Sequence, residues 1–291
     1  MSCEIKNILV TGADGFIGYH LVQRLRDDGY NVYTYDVNDG DISNDKLKFN
    51  QIDHVFHLAA RTFVPASWDE PYEYYRTNVM GTVNVLNFCR ENSCSITIPS
   101  TYMYGNPQYL PIDEKHPIDM DVSPYHHSKF LSESIAEFYA KRFGISCTIL
   151  RLFNVYGFGQ NKNFLIPHLI EEVCGQNSQI VVKDLCPKRD YIYIDDVIEA
   201  FVKSMCNTKS DFHVYNVGKG ISWSVSEVAT SIMNVFHCEK ELVSMNERRN
   251  GEIMDTVADI SKIEKELNWH PQYDLEDGLR KIRQEMIKDS F

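Results

Sequence analysis

The chain has 291 residues, of which 43% are hydrophobic, 12% aromatic and 24% charged, with only 10 prolines. That length permits one large α/β domain or two tightly joined smaller ones, with a core holding on the order of 70–75% of the unfolded surface, which excludes a peptide-sized scaffold and global disorder. Forty-one acidic against 29 basic side chains leave a formal charge of −12, so nucleic acid and anionic membranes are repelled and any anionic ligand must be met by specific positive residues.

In chain order, Asn7–Val10 is a short apolar strand, and a glycine turn over Thr11–Gly18 leads into a helix with apolar spacing from Phe16 to Leu25. Asn31–Asp36 is β-rich and ends in an acid, completing a βαβ unit. Ile52–Leu58 reads as a buried strand, Tyr72–Arg90 as a long amphipathic helix containing Asn78, and Ser95–Pro99 as the next strand. A helix from Tyr125 to Phe143 stops at Gly144, and Ser146–Leu150 follows as a strand. This alternation predicts a parallel sheet with helices on both faces, continuing to about residue 150.

Beyond Gly157 the pattern loosens into a helix over Asn163–Cys174, a strand at Ile180–Val182, a turn at Cys186–Pro187, a strand at Tyr191–Ile194 and a helix over Asp196–Met205. Phe212–Val217 is apolar enough to return to the main sheet, so the two regions are expected to interleave. The eight cysteines, at 3, 89, 94, 147, 174, 186, 206 and 238, form no CxxC pair, and no charged-then-apolar leader opens the chain. No window approaches the roughly 18 apolar residues of a spanning helix. A soluble cytoplasmic protein with free thiols is expected, with no membrane or nucleic-acid partner.

Two constellations carry chemistry. TGADGFIG sets Gly12, Gly15 and Gly18 between a strand and a helix, where a turn needs glycine and a missing side chain lets a pyrophosphate approach the helix N-terminus. Asp36, at the end of the next strand, can accept hydrogen bonds from both adenosine ribose hydroxyls and repels a 2′-phosphate, so NAD is expected over NADP. Tyr125-His-His-Ser-Lys129 opens a helix, with Ser100 ahead of it at a strand end. Residues i and i+4 share a helix face, so the Lys129 ammonium is expected beside the Tyr125 phenol, lowering a pKa of about 10 toward the working pH. In a chain with 17 tyrosines that spacing is nonspecific by itself. His126 and His127 lack a second ligand pair at metal spacing, so no metal is expected, and Cys174 and Cys186 read as ordinary thiols.

Together the motifs identify a resemblance to the extended short-chain dehydrogenase/reductases of the NAD-dependent epimerase/dehydratase family. It rests on TGADGFIG, Asp36, HLAA (57–60), the NVMGT run with Asn78, STYMYG (100–105), YHHSK (125–129), LRLFNVYG (150–157), KRDYIYIDD (188–196) and the tail RNGE/LNWHP (249–271), in the family's order over nearly the whole chain. The resemblance implies a Rossmann-type doubly wound α/β sheet with a smaller, interleaved C-terminal region. Residues 1–157 with about 191–217 would hold the dinucleotide, and 158–190 with 218–291 a nucleoside-diphosphate sugar.

Family membership further implies that Tyr125 is the acid/base, that Lys129 holds the nicotinamide ribose and tunes Tyr125, and that Ser100 bonds the reacting sugar oxygen, with Thr101 its substitute if the strand runs one residue further. The glycine turn, with Asp14, Phe16 and Ile17, would cradle the cofactor phosphates. Leu58, Ala59 and Ala60 would meet the adenosine, and Asp41 and Ile42 would border the adenine. Asn154 and Arg189 would face substrate phosphates, Arg249 being a second candidate; Asn78 would brace a helix near the site. A homodimer through the Tyr72–Arg90 and Tyr125–Phe143 helices is also implied.

The chain departs from the pattern in three places. Where 4,6-dehydratases carry an acidic pair after the Ser/Thr, this chain has Thr101 and Tyr102, followed by Met103, which disfavours dehydration and decarboxylation. The stretch from Asp36 to Asp41 is short, so the cofactor is expected to be less enclosed and to exchange readily. Leu185 and Pro187 stand where epimerases commonly have glycines. The expectation is therefore an NAD(P)-dependent reductase of a 4-keto-6-deoxy sugar nucleotide, with a 4-epimerase that retains NAD as the alternative. A nucleotide-sugar sensor, or a quinone- or nucleic-acid-binding regulator, on the same fold is the non-enzyme reading, and the joint presence of Ser100, Tyr125 and Lys129 counts against it.

Overall fold

The structure, a computed structural model, describes residues 5–205, 211–248 and 251–289. Arg249, singled out above, lies outside the described residues.

The first half builds one sheet. Strands β1 (Asn7–Thr11), β2 (Asn31–Tyr35), β3 (His54–His57), β4 (Ser95–Thr101), β5 (Cys147–Leu152) and β9 (Phe212–Val217) pair in parallel in the order β2-β1-β3-β4-β5-β9. The Phe212–Val217 segment thus does return to the main sheet, pairing residue for residue with β5. The helices between these strands cover both faces. Helices α1 (Phe16–Asp27) and α7 (Ile194–Ser204) lie on one, and α4 (Gly81–Asn92) and α5 (Pro124–Phe143) on the other. Because both faces are covered, β3 and β5 are buried at every residue, and their side chains read as continuous apolar runs broken only by His54, His57, Thr148 and Arg151.

The long helix expected over Tyr72–Arg90 is more structured than its periodicity suggests. After the short α2 (Ala66–Asp69), α3 (Pro71–Tyr74) runs without a break through a π-helical stretch (Tyr75–Met80) into α4. At the end of that stretch the Asn78 carbonyl accepts from the Gly81 N–H and also from the Thr82 hydroxyl at 2.6 Å and the Ser132 hydroxyl at 3.0 Å.

The second half adds β6 (Asn154–Tyr156), α6 (Leu165–Cys174), β7 (Gln179–Val182), β8 (Lys188–Tyr193), β10 (Ser222–Ser224), α8 (Val225–Phe236), β11 (Glu241–Ser244), α9 (Ser261–Leu267) and α10 (Leu275–Asp289). Strands β10, β8 and β6 form a three-stranded sheet, and β11 pairs with β7. Residues 191–193, expected with the dinucleotide region, therefore belong to a separate sheet, in register with 154–156. Helix α6 begins two residues later than expected because the Asn161 side chain accepts from the Asn163 N–H and holds the chain in a turn. Ile194, read as the end of a strand, is the first residue of α7.

Two buried carboxylates gather segments distant in the chain. Asp190 accepts from the N–H groups of Lys219, Gly220 and Ala258, and Asp196 from those of Gln272 and Tyr273. Burial pushes both up to about 6, offset in part by those bonds. Among the described residues no helix is long and apolar enough to cross a membrane.

Candidate active site

The glycine turn after β1 is shaped by close approach. Gly12 has φ +70°, and a Cβ there would lie 2.6 Å from the Ala59 nitrogen and 2.7 Å from the Leu58 carbonyl carbon. At Gly18 a Cβ would run into the Gly12 carbonyl oxygen and come within 2.9 Å of the Ala13 Cα. Gly15 differs: its Cβ would meet only the Gly12 oxygen, at 3.2 Å. Two of the three glycines thus let the turn pack on β3 and on α1, and the third leaves the start of α1 bare. That helix has no side-chain cap and no acid in its first turn, so its N-terminal dipole faces no negative group of its own.

Asp36 follows β2 directly and bonds to this turn, accepting from the Asp14 N–H at 2.8 Å and the Val37 N–H at 2.7 Å. Phe16 and Ile17 open α1. Leu58, Ala59 and Ala60 follow β3, with the Leu58 N–H donating to the Thr11 carbonyl and the Ala59 N–H to the Thr11 hydroxyl. Ile42 is buried against Gly81, and Asp41 pairs with Arg76 and Ser43. The Ser43 bonds and then Arg76 hold the Asp41 carboxyl below its usual range, although burial opposes them. Asn84 also donates to the carbonyls of Ile42 and Asp45, both at 2.8 Å. The short segment after Asp36 is therefore tied to the long helix, a restraint the sequence comparison of loop lengths did not reveal.

The second cluster lies where β4 meets α5. Ser123 caps α5, accepting from the His126 N–H, and Pro124 fits the first helical position, so Tyr125 and Lys129 sit one turn apart at the helix start. Strand β4 extends through Thr101, beyond the expected Pro99, and the Thr101 hydroxyl hydrogen-bonds the Tyr125 phenol. Ser100, one residue earlier, leaves its Oγ buried with no partner. The Tyr74 ring meets Tyr125 edge-on, with centroids 6.4 Å apart.

Burial pushes the Tyr125 phenol up to about 12, against the Thr101 bond, which lowers it; Tyr102 and Tyr74 add to the rise. The expected effect of Lys129 does not appear among these causes. Burial pulls Lys129 down to about 8, and the opposing charge is Glu133, one turn further along α5. Desolvation disfavours phenolate and ammonium alike, raising the one and lowering the other, and at about 8 Lys129 still carries its proton at neutral pH. Lys129 acts instead on His57, which burial first and this ammonium second hold down to about 3. Glu133 in turn is paired with the buried Arg151 at 2.7 Å.

Asn78 ties these parts together. Its Oδ1 accepts from the Arg61 N–H at 2.8 Å, and its Nδ2 donates to the Arg61 carbonyl and to Ser128 Oγ at 2.9 Å, joining the segment after β3 to α5. Asn154, in β6, accepts from the Tyr102 hydroxyl, and its Nδ2 is buried without a partner. Arg189 bonds to Glu252 Oε1 at 2.5 Å and to the Ile253 carbonyl at 2.6 Å, so its guanidinium is fixed on the 252–253 segment. Reading the sequence did not single out Glu252, Asp190, Asp196 or Glu133. The RNGE and KRDYIYIDD stretches that contain the first three were the available signal.

The NAD dependent epimerase/dehydratase family matches residues 8–218. A UDP-glucose 4-epimerase of Yersinia enterocolitica is 30% identical, over 94% of this chain and 95% of its own. The crystal structure of a UDP-glucose 4-epimerase with UDP-glucose from Thermotoga maritima is 28% identical with a TM-score of 0.89, covering 98% of this chain and 100% of that one. The UDP-glucose 4-epimerase of Bifidobacterium longum in complex with NAD+ and UDP is 26% identical with a TM-score of 0.88, over 98% and 99% of the two chains.

Proposed function

Because the chain belongs to the NAD-dependent epimerase/dehydratase family, we propose that it is a nucleotide-sugar 4-epimerase that holds NAD and inverts carbon 4 of a UDP-hexose. The observation that carries this is the polar cluster of Tyr125, Thr101 and Ser100, with Tyr102 and Met103 rather than acids following it, in a chain whose full-length relatives include UDP-glucose 4-epimerases. A dehydratase needs a carboxylate at that place to remove water. The reductase reading rested on a cofactor loosely enclosed after Asp36; Arg76 and Asn84 hold Asp41 and Ile42 in place there, so the segment is short but fixed, and that argument is weakened.

The residues present fit the cofactor. A Cβ at Gly12 or Gly18 would fill the turn, the uncapped start of α1 can receive a pyrophosphate, and Asp36, fixed by Asp14 and Val37, keeps lone pairs for ribose hydroxyls. Phe16 and Ile17 border the phosphates, Leu58 to Ala60 and Asp41 with Ile42 the adenosine, and Lys129 the nicotinamide ribose. NAD supplies reversible hydride acceptance from a sugar carbinol.

The chain's own residues manage the proton. The carbon-4 hydroxyl proton passes to the ionised Tyr125 oxygen as the carbinol is oxidised and comes back from the Tyr125 phenol to the carbonyl oxygen on re-reduction. Burial, which holds the phenol up to about 12, favours the return, and the Thr101 bond, which lowers it, favours the acceptance. Ser100 Oγ, with no internal partner, is free to bond the sugar oxygen. Asn154, Arg189 and Arg249 are the candidates for the diphosphate, the sugar lying between the six-stranded sheet and the region built from 158–190 and 218–291. Exposed Tyr72, Met80, Phe138 and Phe143 on the paired helices support a homodimer. The six described free cysteines are in keeping with a cytoplasmic location.

The test is nucleotide content and turnover together. Protein passed through gel filtration should carry stoichiometric NAD and interconvert UDP-glucose and UDP-galactose with none added, and Tyr125→Phe should keep the NAD while losing about two to four orders of magnitude in turnover. Protein without NAD that steadily oxidises NADH with a 4-keto sugar nucleotide would restore the reductase reading.

A further inference from the structure

One turn beyond Lys129, helix α5 carries Glu133, and the i, i+4 spacing sets the two side chains on one face of the helix. Both are buried, as is Arg151 of β5. Glu133 makes its ion pair with that arginine: Nε donates to the two carboxylate oxygens, each at 3.2 Å, and Nη2 to Oε2 at 2.7 Å. Arg151 is fixed in its turn. Its Nη1 donates to the Tyr104 hydroxyl at 3.0 Å, its guanidinium lies 5.3 Å from the Tyr104 ring centroid, and that hydroxyl donates to Asn216 Oδ1 at 2.6 Å. The carboxylate is therefore held in one place.

Two cations and one anion thus share a site out of water. A guanidinium stays charged there whatever faces it, whereas a buried ammonium without an opposite charge gives up its proton. The groups on the surrounding elements offer no substitute. His57 of β3 is held neutral, and burial pushes up the Tyr74 phenol of α3 and the thiols of Cys89 on α4 and Cys147 on β5. Strand β4 has no titratable side chain, and Arg76 of the π-helical stretch is engaged with Glu73 and Asp41. Glu114 accepts from the Asn216 N–H, and burial pushes its carboxyl up. Glu133 is the charge that opposes burial at Lys129.

We infer that Glu133 is a positioning residue for the carbon-4 chemistry: gripped by Arg151, its carboxylate is the counter-charge that keeps Lys129 an ammonium beside Tyr125, and Arg151 limits how much of that charge reaches Lys129. The inference rests on the reading of Tyr125 and Lys129 as the working pair of a nucleotide-sugar epimerase.

The test is a lysine titration of the purified protein, read by NMR after 13C labelling at lysine Cε, with Lys129→Met identifying the Lys129 resonance by its loss. Glu133→Gln keeps the shape and an oxygen for Arg151 but loses the charge, and the Lys129 midpoint should fall by about one pH unit. Arg151→Met frees the carboxylate to turn wholly to Lys129 and should raise the midpoint by about half a unit or more. Glu133→Gln/Arg151→Met leaves neither member of the pair behind as an unpaired buried charge, so it folds even where a single change does not, and its midpoint should stay below wild type. The alkaline limb of kcat/KM with UDP-galactose should move with the midpoint in each variant, whereas a merely structural role would lower kcat without opposite displacements. A Lys129 midpoint that does not fall when Glu133 loses its charge, or a limb that does not follow the midpoint, would overturn the inference. Wild-type protein that converts no UDP-galactose would overturn the epimerase reading, and the midpoints would still decide whether Glu133 holds the Lys129 charge.

Discussion

Lys129 is where burial and chemistry pull hardest against each other. It is almost fully enclosed, and its proton is loosened from about 10.5 to about 8. A lysine whose folded pKa lies below its unfolded one destabilises the fold at pH values under both, and the penalty fades as pH rises from about 8 to about 10.5. The size of that shift corresponds to roughly 1–3 kcal/mol after allowing for the Glu133 interaction. Lys129→Met should therefore leave the protein as stable or up to about 3 kcal/mol more stable at pH 7 by urea unfolding, with the difference shrinking toward pH 10. The same change should abolish turnover. If the ammonium form is the working one, wild-type kcat/KM declines as pH passes about 8. A Lys129→Met variant less stable than wild type at pH 7 would mean the ammonium is better solvated than its surroundings allow.

The same residue also marks how far sequence reasoning reached. Spacing put Tyr125 and Lys129 on one helix face correctly, because i and i+4 geometry is local. The sign of the environment was not local. It depends on how deeply α5 sinks against β4 and on Glu133 and Arg151, which come together only in the folded chain. Ser100 and Thr101 make the same point: the pattern was right about the strand, and a two-residue extension of it decides which hydroxyl reaches Tyr125.

Among the elements, the widened helix around Asn78 is the least regular and the most connected. A single side chain there bonds the Arg61 backbone twice and Ser128 once, and its own carbonyl takes two hydroxyls. Removing three bonds from a buried amide costs about 2–4 kcal/mol, since each partner is then left unsatisfied. Asn78→Ala should lose that much stability in urea unfolding and also weaken NAD retention, because the segment after β3 that it anchors includes Ala59 and Ala60. Unchanged NAD retention at reduced stability would confine Asn78 to a structural role. The π-helical stretch itself was invisible in the apolar periodicity, which follows a 3.6-residue repeat and does not register one extra residue per turn. Strands β6 (Asn-Val-Tyr), β10 (Ser-Trp-Ser) and β11 (Glu-Leu-Val-Ser) were likewise unread, because none offers the uninterrupted apolar run that marked Ile180–Val182.

Over the whole molecule, a continuous apolar core runs from Ile8 and Leu21 in the first βαβ unit to Trp269, Leu279 and Ile282 near the end of the chain. The return of β9 to the main sheet explains that continuity, and the apolar character of Phe212–Val217 was enough to anticipate it. The partner surface was open only to resemblance, since an exposed aromatic is unremarkable by itself. Phe138 is 54% exposed on α5, with Phe143 beside it. Phe138→Glu should change monomer stability by less than about 0.5 kcal/mol while shifting light-scattering mass from dimer to monomer. A wild-type protein that is monomeric at micromolar concentration would remove the proposed interface.

The most direct measurement follows the hydrogen on carbon 4. UDP-glucose carrying deuterium there, incubated with the protein and no added nucleotide, should give UDP-galactose that keeps the deuterium at carbon 4, because the hydride leaves and returns within one site. Failure to form the carbon-4 epimer, or its formation with the deuterium lost to solvent, would contradict the account.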